Sequence, residues 1–178
     1  MESLSYPIGR FEYGKTYTME ETKSQIQTIS ALPSKLFNIV NPLTKHQLET
    51  PYRPGGWSVI QTVHHVADSH INAYVRFKLA LTEDNPFIKP YEEALWAELS
   101  DGSGAPLDWS LQLLKYLHLR WIMLLNSLTE TDLQRTYFHP ETKRVFPLQE
   151  VVAIYAWHSE HHYEHIRRLC LREGWIAE

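Results

Sequence analysis

The chain has 178 residues, 43% of them apolar and 21% charged, which is ordinary for a globular protein with one hydrophobic core. Its formal net charge is −4 with neutral histidines, and the absence of a basic run or an RNA-binding motif argues against a nucleic-acid partner. No apolar run is long enough to span a bilayer, so we predict one domain over residues 1–178 and no membrane contact.

The chain begins with a predicted arm that leads into a long helix. Residues 1–17 contain proline and glycine and are expected to form an extended N-terminal arm. Thr18 and Glu21 have the spacing of a capping box, so a helix is expected to begin after Thr18 and to continue to about Val40. Pro33 lies inside this helix, where it predicts a kink or a break.

A second helix is predicted after a loop rich in proline and glycine at residues 41–57. Ser58 and Gln61 repeat the capping-box spacing. The helix is therefore expected to run from about Val59 to Leu81.

A long connection and a third helix follow. Residues 85–106 are again rich in proline and glycine, with a short helix expected at 92–99. The third long helix is predicted over residues 107–128. Its apolar positions have helical spacing: Leu111, Leu114, Leu117, Trp121, Leu124 and Leu128.

The last helix is preceded by a predicted hairpin, in which residues 136–138 pair with residues 144–146. The helix is expected to begin near Pro147, since proline is favoured in a first turn, and to stop at Gly174. Four long helices with long crossovers and no internal repeat predict an all-α protein, a four-helix bundle with a small hairpin before the last helix.

The last predicted helix carries the clearest functional signal. Four of the ten histidines lie between His158 and His165. A helix advances about 100° per residue, so His158 and His162 lie one turn apart on one face. The same face carries Val151 and Leu169, so two imidazoles occupy a stripe that should face the core. Two inward imidazoles one turn apart can share a metal ion.

A third ligand would have to come from another helix, and the second helix offers His64, His65 and His70. Periodicity alone does not choose among them. His70 lies on the main apolar stripe, whereas His65 lies on a small, polar face that suits the wall of a wet pocket. Asp68 is one turn from His65, where it either orients that imidazole or is an ordinary surface carboxylate.

The chain has one cysteine, Cys170, so no intrachain disulfide is possible. Residues 1–13 do not have the pattern of a signal peptide. We therefore expect a cytoplasmic protein. Any metal would be held by nitrogen and oxygen ligands unless Cys170 takes part.

Five segments together resemble one known family, the YfiT-type branch of the DinB superfamily. The resemblance covers nearly the whole chain. The matching segments are LSYPIG at 4–9, PYRPGGWSV at 51–59, VHHVADSH with RFK at 63–78, FHP at 138–140 and WHSEHH at 157–162.

This resemblance implies a four-helix bundle with a metal ion held by three histidines. Carried over to this chain, the ligands are His65, His158 and His162, so the resemblance decides for His65. One divalent metal ion per chain is expected, zinc or nickel. Glu160 departs from the family pattern, in which relatives often have another histidine, but it does not occupy a ligand position.

The resemblance also implies an activity on a small-molecule substrate. The family is labelled as metal-dependent hydrolases, which would use metal-activated water at the three-histidine site. Some members of the superfamily are thiol S-transferases, so a low-molecular-weight thiol such as bacillithiol is an alternative cosubstrate. A non-catalytic metal-binding dimer is the third alternative, and relatives of this kind form homodimers.

Three further residues are candidates for the mouth of the site, and two more histidines lie near the ligand face. Arg53 in the glycine-rich loop and Arg76 on the His65 face could hold an anionic cosubstrate, and Trp57 could pack on it. The alternative for each is a surface charge or a core aromatic. His161 and His165 lie near the ligand face, and one of them is expected to line the pocket or to support a ligand.

Overall fold

The computed structural model describes residues 2–177, which fold into four long helices, five short ones and a two-stranded hairpin. The long helices are α2 (Met19–Val40), α4 (Val59–Thr82), α7 (Leu107–Asn126) and α9 (Leu148–Arg172). The short elements are α1 (Glu2–Ser5), α3 (Lys45–Leu48), α5 (Glu93–Ala97), α6 (Ser100–Gly104), α8 (Glu130–Leu133), β1 (Thr136–His139) and β2 (Arg144–Pro147).

The four long helices form a four-helix bundle, as predicted. Helices α2 and α4 each pack against both α7 and α9, so α7 and α9 lie between them. Trp121 of α7 and Phe77 of α4 are fully buried at one end of the core, and Leu36 and Leu169 are fully buried at the other. No helix among residues 2–177 is both long and apolar enough to cross a membrane.

Both predicted capping boxes are present, and they fix where α2 and α4 begin. The Thr18 hydroxyl accepts from the Glu21 amide at 3.2 Å, and the Glu21 carboxylate accepts from the Thr18 amide at 2.7 Å. Ser58 and Gln61 make the same reciprocal pair at the start of α4. Each pair satisfies two backbone N–H groups that a helix start leaves without partners.

Pro33 does not break α2, so that part of the prediction is wrong. The helix continues without interruption from Met19 to Val40. Proline in a helix interior removes one backbone hydrogen bond and disfavours the helix by about 3 kcal/mol. Ile29, Leu32 and Leu36 on the same helix are fully buried, and this burial offsets the penalty.

The N-terminal arm is not extended throughout, because Glu2–Ser5 form the short helix α1. Beyond α1 the arm lies along α9. The Trp157 indole N–H donates to the Gly9 carbonyl at 3.2 Å, and the Gly14 amide donates to the Glu150 carboxylate at 2.6 Å. These contacts bring the arm to the face of α9 that carries the histidines.

The hairpin before α9 is confirmed. Strands β1 and β2 pair antiparallel, with Thr136 opposite Pro147 and His139 opposite Arg144. Pro147 is the N-cap of α9, and Gly174 follows the helix with a φ of +69°, a conformation that glycine adopts without strain. The short helix predicted at 92–99 is present as α5, with α6 following it.

Candidate metal centre

Three histidines from two helices meet beside the packed faces of α4 and α9. His65 lies on α4, and His158 and His162 lie one turn apart on α9. Each offers one ring nitrogen, and these three atoms lie within 4.8 Å of one another. His65 and His162 are buried, and His158 is partly exposed. The i, i+4 spacing aligns the pair on α9, and the packing of α4 on α9 brings His65 to it.

Burial keeps these three imidazoles neutral. Desolvation lowers the pKa of His65 to about 4 and lowers the pKa values of His158 and His162 well below the ordinary histidine value. Each ring therefore keeps a nitrogen lone pair at neutral pH. Three neutral imidazoles that converge from two helices fit the donor set that zinc and similar transition-metal ions prefer.

The other two histidine candidates on α4 have hydrogen-bond partners on both ring nitrogens. The His64 ring bonds to the Ser110 hydroxyl at 2.7 Å and to the Ala105 carbonyl at 3.1 Å. His70 is fully buried, as its place on the apolar stripe predicts, and both of its ring nitrogens bond to other histidines. Of the three, only His65 lines the cavity described below.

A second group of histidines lies on α9 alone. His161, His162 and His165 also each offer a ring nitrogen within 4.8 Å of the others, so His162 belongs to both groups. The Nδ1 atoms of all three are buried without a hydrogen-bond partner. His165 donates from Nε2 to the Ser5 carbonyl at 3.2 Å, and the His161 ring stacks on Trp157 with centroids 4.4 Å apart.

A cavity of about 600 Å³ opens onto both groups of histidines. Both His161 and His165 line it, whereas the sequence led us to expect one of them to line a pocket or support a ligand. Tyrosine and tryptophan rings form part of its walls beside the histidines, and the N-terminal arm contributes two of these rings. The aromatic residues of the lining are Tyr6, Tyr13, Tyr52, Trp57 and Trp157.

The two candidate arginines differ in position. Arg53 lines the cavity, and its guanidinium donates to the Pro54 carbonyl at 3.1 Å. Arg76 is buried, donates to the Lys89 carbonyl at 3.3 Å and is not part of the cavity lining. Arg76, a candidate for the mouth of the site with a surface charge as the alternative, is therefore neither in the cavity wall nor on the surface. Trp57 lines the cavity and packs against His65, with ring centroids 4.5 Å apart.

The carboxylates near the site have different surroundings. Glu160 forms an ion pair with Lys35 at 2.6 Å, and Glu164 pairs with Arg167 and Arg168 at 3.4 Å. Asp68 is half-buried, and desolvation raises its pKa to about 6. The structure shows no hydrogen bond between the Asp68 carboxylate and His65 in the described part of the chain.

Sequence reasoning missed two residues. Glu93 of α5 lines the cavity, and desolvation, followed by the nearby Glu141 carboxylate, raises its pKa. His118 of α7 is buried and bonded to His70. A signal for His118 exists, since it continues the buried spacing of Leu114, Trp121 and Leu125. The predicted apolar stripe used Leu117 and Leu124 instead, which are only partly buried.

Comparisons with known proteins agree with this fold. A family model described as the DinB superfamily matches residues 28–166. A Bacillus subtilis protein named "Putative metal-dependent hydrolase YfiT" is 47% identical over 173 residues, which cover 97% of each chain. A Bacillus cereus (strain 03BB102) protein named "Putative metal-dependent hydrolase" is 51% identical over 175 residues, 98% of this chain and 100% of that one.

A solved structure is also similar over the full length. It is that of YfiT from Bacillus subtilis, described as "a probable metal-dependent hydrolase with an unusual four-helix bundle topology". The TM-score is 0.95 at 46% sequence identity, and the match covers 98% of this chain and 99% of the other.

Proposed function

The chain belongs to the DinB superfamily, and from this premise we propose that it is a metal-dependent hydrolase of a small-molecule substrate. In this proposal His65, His158 and His162 hold one divalent metal ion, zinc or nickel. The observation that carries it is the convergence of three neutral imidazoles on a cavity large enough for a small molecule. The names of the relatives support the same activity.

The chemistry of the site follows from the donor set and the cavity. His65, His158 and His162 would hold the ion through neutral nitrogens, so a bound divalent ion would keep its full charge and would supply Lewis-acid activation of water and of a substrate oxygen. The tyrosine and tryptophan rings in the walls offer apolar surface to part of a substrate. Glu93 is the carboxylate that lines the cavity in the described part of the chain, and burial raises its pKa, so it is our candidate to hold or transfer a proton there.

Thiol transfer is the alternative that one observation favours. Arg53 in the cavity wall offers a positive charge with which an anionic cosubstrate could pair. The chain's own thiol is unsuitable, because Cys170 is buried and desolvation raises its pKa. A thiol transferase would therefore need a low-molecular-weight thiol such as bacillithiol as its cosubstrate.

We also propose that the chain forms a homodimer through the outer face of α7. Trp109, Tyr116 and Met123 are spaced by seven residues and are 66%, 59% and 79% exposed. Leu113 and Leu119 extend the same stripe on either side of Tyr116. The stripe is symmetric about Tyr116, so two antiparallel copies of α7 would place Trp109 opposite Met123 across a two-fold axis. If the metal site proves inactive, a metal-binding dimer is the remaining function.

One experiment separates these functions. The metal content of the purified protein is measured, and protein loaded with zinc or nickel is assayed for ester and amide hydrolysis and for bacillithiol conjugation to an epoxide. Hydrolysis without thiol, lost in His162→Ala and reduced in Glu93→Gln, would support the hydrolase. Conjugation that requires the thiol would support a thiol transferase instead of the hydrolase. A full metal site with neither activity would leave the binding role.

A further inference from the structure

A chain of hydrogen bonds runs through the middle of the bundle and reaches His158. The His158 Nδ1 atom lies 3.2 Å from His70 Nε2, and His70 Nδ1 lies 2.9 Å from His118 Nε2. At the far end, His118 Nδ1 lies 2.9 Å from the carbonyl oxygen of Ile29. The chain thus takes one residue from each long helix: Ile29 of α2, His118 of α7, His70 of α4 and His158 of α9.

Pro33 explains why the Ile29 carbonyl is available. In an α-helix that carbonyl would accept the N–H of residue 33, four positions later. Pro33 has no N–H, so the Ile29 carbonyl lacks its ordinary donor from residue 33. A buried carbonyl needs a donor, and the His118 ring supplies it. Pro33 therefore makes the Ile29 carbonyl available as the last acceptor of this chain of hydrogen bonds.

The direction of every hydrogen bond in the chain follows from this one carbonyl. A carbonyl can only accept, so His118 carries its proton on Nδ1 and accepts at Nε2. His70 must then donate from Nδ1 and accept at Nε2. His158 in turn donates from Nδ1 and keeps an unprotonated Nε2. The argument requires neutral rings, and the complete burial of His70 and the near-complete burial of His118 in the bundle favour the uncharged form.

We propose that Pro33, the Ile29 carbonyl, His118 and His70 act as positioning groups that hold His158 in the Nδ1–H tautomer, with its Nε2 lone pair available to the metal ion. The inference rests on the proposed ligand set, in which His158 is one of three. A metal-binding imidazole whose second nitrogen donates to a fixed partner has its tautomer and ring orientation set before the ion arrives. Here the fixed partner is His70, and its orientation is set in turn by His118 and Ile29.

The tautomers can be measured without any metal. Nitrogen-15 NMR of the metal-free protein, with histidines labelled, distinguishes protonated from unprotonated ring nitrogens. We expect His118, His70 and His158 each to carry the proton on Nδ1. A proton on Nε2 of His158 would overturn the proposal. This result does not depend on activity or on metal loading, so it stands apart from any failure of the proposed function.

Metal affinity then tests the effect of this chain of hydrogen bonds on the metal site. His118→Leu removes the anchor, so His70 and His158 can change tautomer, and the zinc affinity is expected to fall tenfold to a hundredfold. His64→Leu is the matched control, since His64 is also a buried histidine between α4 and α7 but bonds to Ser110 and Ala105. Equal zinc affinities in the two variants would overturn the proposed positioning role. Zinc binding by the wild type would still support the proposed metal site.

Pro33→Ala provides a test in which stability and affinity should move in opposite directions. Alanine restores an N–H that competes with His118 for the Ile29 carbonyl, so zinc affinity is expected to fall severalfold and the His158 tautomer to become mixed. Alanine is also a better helix former than proline, so the melting temperature is not expected to fall. An unchanged affinity with an unchanged tautomer would overturn the role of Pro33.

Discussion

At the scale of single residues, seven of the ten histidines are buried, and burial lowers the pKa of each. These histidines are His64, His65, His70, His118, His161, His162 and His165. A neutral imidazole can accept a hydrogen bond or bind a metal, whereas a protonated one cannot bind a metal. The interior therefore presents a set of uncharged nitrogen donors at neutral pH. The same burial makes the metal-free fold sensitive to acid.

The metal-free protein is expected to lose stability as the pH falls below about 6.5. The unfolded chain binds protons at its histidines near that pH, whereas folded His65 and His118 remain neutral down to about pH 4. The unfolded state then binds more protons, so acid favours unfolding throughout this window. These two residues alone would lower the free energy of unfolding by about 3 kcal/mol at pH 5.5. Urea unfolding at pH 7 and pH 5.5 measures this change in the free energy of unfolding. Equal unfolding midpoints at the two pH values would contradict the prediction.

The two overlapping histidine groups make different predictions for metal content. If the ion lies between α4 and α9, His65→Ala should reduce the metal bound per chain to near zero, because only two ligands remain. His161→Ala should leave it unchanged, since His161 belongs to the other group. Inductively coupled plasma mass spectrometry of the purified variants gives the answer. The opposite pattern would place the ion among His161, His162 and His165.

At the scale of elements, the first turn of α4 supports the helix that carries His65. Ser58→Ala removes the hydroxyl that accepts from the Gln61 amide at 3.2 Å, and the free energy of unfolding is expected to fall by about 1 kcal/mol. Denaturant unfolding measures this change. Thr44→Ala, which removes the equivalent cap from α3, is the control and should cost less, because α3 contains no buried residue. Equal losses would contradict the argument.

The N-terminal arm depends on Glu150 of α9. Its buried carboxylate accepts from the Gly14 amide at 2.6 Å and pairs with Arg144 at 3.4 Å. Glu150→Ala should release the arm at Gly14 and with it the neighbouring Tyr13, which lines the cavity, while the contacts at Ser5 and Gly9 remain. Hydrogen exchange at the Gly14 amide is expected to accelerate strongly. Glu150→Gln keeps an oxygen that can accept the same hydrogen bond, so it should exchange more slowly than Glu150→Ala.

At the scale of the whole molecule, the apolar stripe on α7 is a surface that the bundle leaves uncovered. Met123 is 79% exposed at one end of the stripe. In the proposed homodimer it would contact Trp109 of the second copy. Met123→Glu would then bury a charge without a partner, so we expect a monomer by analytical ultracentrifugation. Leu95→Glu, a charge at an exposed leucine on α5, is the control and should not change the mass. If the wild-type protein is itself a monomer by analytical ultracentrifugation, the proposed homodimer is wrong.

Local sequence signals were sufficient for most of the elements. Capping boxes and helical periodicity predicted where α2 and α4 begin, and the spacing of His158 and His162 placed both rings on one face of α9. The hairpin between residues 136 and 147 was likewise found from its local pattern. Each of these signals depends on residues a few positions apart, because caps, turns and helix faces are set by short-range geometry.

The sequence by itself determined the four helices and the histidine pair on α9, because helix faces and caps are local properties. Periodicity could place His64, His65 and His70 on different faces of α4, but the face that meets α9 depends on how the helices pack. Only the tertiary structure therefore brought His65 to the pair on α9 and joined His70 to His118. The tertiary structure also decided how the helix accommodates Pro33. The Ile29 carbonyl, which the proline leaves without its ordinary donor, accepts from the His118 ring of α7, 89 positions away in the sequence.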